Sequence, residues 1–131
     1  ELRLAAAVFE SVGKVAVVDD EDLLNPVTGL SGSGPAYVFL FMEALTEAGV
    51  KAGLSEADSK TLAIQTTLGA ARLAAESDKT LPELRKMVSS PGGTTIEGLK
   101  KLEEAGFKAS VISAVEAATK RARELSQPGK K

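Results

Sequence analysis

The chain contains no cysteine, no histidine and no tryptophan, and aromatic residues make up only 4% of its 131 positions. Without cysteine there is no disulfide frame, no thiolate nucleophile and no zinc–cysteine cluster. Without histidine there is no Ser-His-Asp triad and no imidazole metal site. Charge of either sign is in short surplus: 16 Lys+Arg against 18 Asp+Glu leaves a net charge of −2, which argues against a general nucleic-acid binder. The longest unbroken apolar run, Ala36 to Met42, is far too short for a membrane span. No charged n-region and cleavage site opens the chain, so the expectation is a soluble, cytoplasmic protein.

What remains is an aliphatic chain. Its 20 alanines, with Leu, Val and Ile, must build the core, and that composition favours closely packed helices over a sheet. The first residues read differently from the rest. Leu2 to Val12 is a short Ala-rich helix closed by Gly13, and Lys14–Val18 is β-branched and apolar, as a buried strand would be. Such a unit cannot bury itself and reads as the tail end of an α/β domain. The four acids Asp19–Asp22 follow. Their ordinary reading is a solvated turn, and the alternative is contact with a cationic ligand.

From Asn25 onward the periodicity is helical. Ser33-Gly34-Pro35 opens a helix, with Ser33 as a possible cap, and Val38, Phe41, Met42, Leu45, Ala48 and Ala52 recur at 3–4 spacing to a stop at Gly53. Ser55 caps a second helix that runs to about Glu76 and is apolar on several faces, which predicts burial on more than one side. Thr80-Leu81-Pro82-Glu83 is a capping box opening a short helix to about Val88, and Thr94-Thr95-Ile96-Glu97 offers a second box. That helix stops at Gly106. Phe107 to about Ser126 is the last, followed by a frayed tail from Gln127 to Lys131. About five helices therefore follow residue 25. The stripe Val38–Ala52 and the helix Leu62–Leu73 are too apolar for a monomer of this size, and a helical homodimer would cover them.

Two glycine-rich segments are candidates for chemistry. Thr28-Gly29-Leu30-Ser31-Gly32-Ser33-Gly34-Pro35 precedes a helix, and reads either as a ligand-contacting turn or as a tight helix entry beneath a packed domain. Its spacing is neither a P-loop nor GxGxxG. In Ser89-Ser90-Pro91-Gly92-Gly93-Thr94-Thr95, hydroxyls and glycines meet a helix N-terminus, a combination that holds anions through backbone N–H groups. The loop itself contains no Lys or Arg, so a carboxylate suits it better than a triphosphate; a plain capped helix start is the equal alternative. Lys100-Lys101, Glu103-Glu104, Arg72, Arg121 and Arg123 read as solvated surface or ion pairs.

Val27–Tyr37 (VTGLSGSGPAY) and Val88–Ile96 (VSSPGGTTI), with Gly106-Phe107 before the last helix, resemble the C-terminal domain of pyrroline-5-carboxylate reductase over essentially the whole chain. The resemblance implies an all-α helical dimerisation domain like the C-terminal domain of 6-phosphogluconate dehydrogenase. It occupies residues 20–127, preceded at 1–19 by the last helix and strand of a nucleotide-binding domain and followed by a disordered tail at 128–131. It implies an oxidoreductase of proline biosynthesis that reduces 1-pyrroline-5-carboxylate to L-proline with NADPH or NADH. The cofactor would be bound mainly by an N-terminal domain absent from this sequence, so the chain alone is expected to be inactive. It implies a homodimer, which in many family members assembles into higher oligomers, often decamers. Carried over by position, Ser90, Thr94 and Thr95 would hold the substrate carboxylate, with Thr95 the candidate catalytic residue, and Glu21 would contact product. Met87 takes the cofactor-touching position where some relatives have Asn, a polar contact that a thioether does not offer. A non-enzymatic helical dimerisation module is the alternative. Another oxidoreductase of the wider superfamily is less favoured, because both long motifs occur together.

Overall fold

A computed structural model describes residues 1–126, and within them all regular structure is helical. Helix α1 spans Leu2–Glu10. A 3-10 turn at Glu21–Leu23 leads into α2 (Leu24–Val27) and a π-turn at Thr28–Gly32. Then come α3 (Gly34–Lys51), α4 (Glu56–Glu76), α5 (Leu81–Met87), α6 (Thr94–Glu104) and α7 (Phe107–Ser126). The tail assigned to Gln127–Lys131 lies outside the described residues.

Local sequence signals account for most boundaries. Ser55 caps α4 by accepting the Asp58 N–H at 3.1 Å. At α5 both halves of the capping box form: Thr80 Oγ1 accepts the Glu83 N–H, and Glu83 accepts the Thr80 N–H at 2.8 Å. Gly53 (φ +101°) and Gly106 (φ +70°) end α3 and α6 in the left-handed region that β-carbons disfavour.

Several expectations are corrected. Residues 14–18 form no strand, because a strand is defined by its ladder and no neighbour is present to supply one. The first helix stops at Glu10, closed by Ser11 and Val12 N–H bonds to Val8 and Phe9, three residues before Gly13. Ser33 makes no side-chain cap, because the π-turn delivers it already in helical conformation (φ −86°, ψ −21°). The second box at Thr94 does not form either: Gly93 is the N-cap and Thr94 is the first helical residue.

The tertiary contacts are few and specific. The α3–α4 hairpin is the most extensive, with Ser59 of α4 buried against Gly49 of α3. The other cluster sets the π-turn and α2 on α7. Gly29 is buried there against Val115 and Thr119, and the Tyr37 hydroxyl lies 3.4 Å from the carbonyls of both Gly29 and Ala114. Phe41 and Phe107 stack at a tilt, centroids 6.1 Å apart, where α3 meets the start of α7.

The chain has almost no core of its own. Among the described residues Ala63 is the one buried apolar side chain, while Leu40 is 66% exposed and Leu68 57%. The double-sided burial expected of α4 is therefore absent within one chain: α3 covers one face and the rest is open. An apolar groove of about 580 Å³, walled by Leu40, Phe41 and Leu45 of α3 and by Phe107 and Val111 of α7, is likewise open. Folding free energy comes chiefly from apolar burial, so these surfaces need a second layer.

Candidate functional site

The loop between α5 and α6 is the most distinctive polar element. The α5 C-terminus is closed by Ser89, whose N–H donates to the Lys86 carbonyl (3.1 Å) and whose hydroxyl donates to that of Arg85 (2.7 Å). A tight turn follows, with Gly93 N–H bonded to the Ser90 carbonyl at 3.0 Å and Gly92 at φ +70°. The turn is sterically exclusive. A β-carbon on Gly93 would meet Ser90 Oγ at 2.7 Å and the Ser90 carbonyl oxygen at 3.0 Å.

The turn delivers the chain straight into α6. Because the N-cap is a glycine with no side-chain bond, the first N–H groups of α6 are left for an external acceptor, at the positive end of the helix dipole. Ser90, Thr94 and Thr95 are all exposed, and none of their hydroxyls finds a hydrogen-bond partner among the described residues. The three residues expected to bind a carboxylate thus share one loop and helix start. Met87, the last residue of α5 and 61% exposed, stands just before that loop.

Glu21 is placed elsewhere. It belongs to the 3-10 turn capped by Asp20, whose Oδ1 accepts the Asp22 N–H at 2.9 Å. It lines a groove with Arg123 and Ser126 at the C-terminal end of α7. The Ser90–Thr95 loop instead leads into α6, which joins the N-terminal end of α7 through Gly106, and α7 is about 30 Å long at 1.5 Å per residue. The groove beside the loop shares no lining residue with that of Glu21. One chain does not bring the expected substrate contacts together.

The other glycine-rich segment is a packing corner. Gly29 is buried under α7 rather than facing a ligand, which selects the second of its two readings. Beside the candidate loop, sequence reading passed over a basic groove of about 540 Å³ between α5 and α6. Arg85, Lys86 and Lys100 rim it over Pro82, Ile96 and Leu99. The only available signal was cations on two consecutive short helices. By contrast Arg72, Lys101 and Arg121 are spent on intrahelical pairs with Glu76, Glu104 and Glu124, as surface residues should be.

Comparison with known proteins agrees with the fold. A family model described as pyrroline-5-carboxylate reductase dimerisation matches residues 21–125. A pyrroline-5-carboxylate reductase of Synechocystis is 49% identical over 127 residues, 97% of this chain and 47% of the relative. One from Arabidopsis thaliana is 50% identical over 124 residues, 95% and 45% respectively. Among solved structures, the pyrroline-5-carboxylate reductase of Coxiella burnetii superposes with a TM-score of 0.93 at 45% identity, covering 96% of this chain and 47% of that one. The Plasmodium falciparum pyrroline carboxylate reductase with NADP bound gives 0.86 at 39% identity, covering 96% and 50%. The chain spans about half the length of the curated relatives it matches. No described helix is long and apolar enough to cross a membrane.

Proposed function

The chain belongs to the pyrroline-5-carboxylate reductase dimerisation family, and on that premise we propose that it is the dimer-forming, substrate-holding part of an enzyme that reduces 1-pyrroline-5-carboxylate to L-proline. The observation that carries the reading is the Ser90–Thr95 loop: unpartnered hydroxyls and free N–H groups share one turn and the first residues of α6. That arrangement suits the one fixed charge of the substrate, its carboxylate. Thr95 would donate or accept a hydrogen bond at the imine edge of a ring held there.

The residue inventory agrees with this chemistry. A cyclic imine nitrogen is basic enough to carry its own proton, so no histidine acid is needed. The hydride would come from NADPH or NADH. These residues contain no glycine-rich dinucleotide cradle, and the Met87 thioether is a poor polar partner, so the coenzyme is held mainly by other parts of the enzyme. What this chain contributes is position: it fixes the carboxylate and restricts the ring to one orientation. Residues 1–19 belong with the dinucleotide-binding part, the helical domain begins at residue 20, and the enzyme works in the cytoplasm.

The partner is a second copy of the chain. Support comes from the near-absence of buried apolar side chains, from the open α3–α7 groove and from the separation of Glu21 from the loop. The substrate site is then composite, with Glu21 given by one copy and Ser90, Thr94 and Thr95 by the other. Titrating the labelled chain with L-proline tests the reading. Amide shifts concentrated at Ser89–Ile96 are expected, and an unmoved loop removes the substrate-holding role.

A further inference from the structure

We propose that the acidic run Asp19–Asp22 of one copy seats in the basic α5–α6 groove of the second, and that this pairing sets the alignment of the two copies. The inference rests on the composite-site reading above and supplies the contact that assembles it. Its first support is an inventory of unspent charge. The four ion pairs among the described residues all lie within single helices, at Glu47–Lys51, Arg72–Glu76, Lys101–Glu104 and Arg121–Glu124. None involves Arg85, Lys86 or Lys100, and none involves Asp19, Asp20, Glu21 or Asp22. Arg123 shares the groove of the acidic run yet stands beyond 4.0 Å from its carboxylates, so the run keeps its capacity for a further cationic partner.

The second support is position and chemistry. The α5–α6 groove carries three cations against the single carboxylate of Glu103, over an apolar floor of Pro82, Ile96 and Leu99. The acidic run is followed directly by Leu23, 46% exposed, so the segment offers carboxylates and an apolar side chain in the order that rim and floor require. The groove also ends at Ser89, the residue next to Ser90. An acidic run seated there carries Glu21 to the edge of the Ser90–Thr95 loop, which its own chain does not do. Like charges oppose other dockings of the run, so complementarity here sets register as well as attraction.

The test exploits two-fold symmetry. One variant reverses the groove (Arg85→Glu with Lys86→Glu), and a second removes the net negative charge of the run (Asp19→Lys with Asp22→Lys). Both leave Glu21 and the capping Asp20 untouched. Each variant alone is expected to dimerise about tenfold more weakly in sedimentation equilibrium, with helical circular dichroism retained. An equimolar mixture should associate more tightly than either variant alone, because in the mixed dimer one basic groove keeps its acidic run and the reversed groove meets a run without net negative charge. The parent dimer should also weaken between about 50 mM and about 500 mM salt, as the Debye length shortens. A parent dimer indifferent to salt, or a mixture of folded variants that associates no more tightly than either alone, overturns the docking. In that case the proline titration still decides the loop on its own. A parent that stays monomeric overturns both.

Discussion

Gly29 of the π-turn lies directly against Thr119 of α7. A β-carbon on Gly29 would stand 2.9 Å from the Thr119 amide nitrogen and 2.9 Å from the Val115 carbonyl oxygen. Both neighbours are helix backbone and cannot yield cheaply, so the glycine sets how closely the start of the domain approaches its last helix. Gly29→Ala should therefore destabilise the chain by about 1–3 kcal/mol, the usual cost of overpacking. Thermal unfolding at fixed chain concentration checks this, since dimer stability depends on concentration. An unchanged midpoint would mean that the approach is not tight in solution.

Ser59 presents the opposite case. It is 3% exposed and its hydroxyl has no hydrogen-bond partner. An unmade bond in a buried site is a cost, so Ser59→Ala should be neutral or stabilising by up to about 1 kcal/mol. Gly49→Ala at the same crossing should destabilise, because its β-carbon would meet Ser59 Oγ at 2.6 Å and Ser59 Cβ at 3.0 Å. Urea unfolding should show Gly49→Ala less stable than the parent and Ser59→Ala no less stable.

Glu83 titrates below its ordinary value of 4.5, because the Thr80 side chain and then the Thr80 backbone hydrogen-bond its charged form. With a depressed folded pKa, its contribution is present above the unfolded pKa and is lost as pH falls through the folded one. Carboxyl resonances of Glu83 should show the lowered midpoint, and Thr80→Val should raise it towards the ordinary value and shorten α5. An unchanged midpoint in that variant would assign the shift to another cause.

Thr95→Val, introduced into a full-length reductase of this family, should lower kcat/KM by about tenfold to a hundredfold, the scale of a lost hydrogen bond to a charged group. The dimer should persist, because Thr95 is exposed at the loop. Steady-state kinetics with sedimentation of the same sample separates the two effects, and unchanged kinetics would remove Thr95 from the mechanism.

Sedimentation equilibrium of the parent chain over a wide concentration range should report a dimer. The exposure of Leu40, Leu62 and Leu68 leaves too little apolar burial for an independent monomer. A stable, well-folded monomer would remove the composite site along with the interface.

Helix boundaries were legible where the deciding chemistry is local. Ser55, Thr80-Glu83, Gly53 and Gly106 act within one turn of themselves, and each acts in the structure as the sequence predicts. Ser33 and Thr94 misled for the same local reason. Both are cap-type residues, but the conformation handed to them by the π-turn and by Gly93 made a side-chain cap unnecessary. Lys14–Val18 has the composition of a strand, yet strand formation needs a partner that composition does not supply.

By itself the sequence determined the helical class, the helix order and, by resemblance, the family. These depend on propensity, periodicity and short motifs, all of which act over a few residues. Only the tertiary structure decided that Gly29 is a packing contact, that Glu21 lines a groove the Ser90–Thr95 loop does not enter, and that Arg85, Lys86 and Lys100 converge on one surface. Those outcomes depend on helix crossings between residues far apart in the chain, and no local pattern carries a crossing angle.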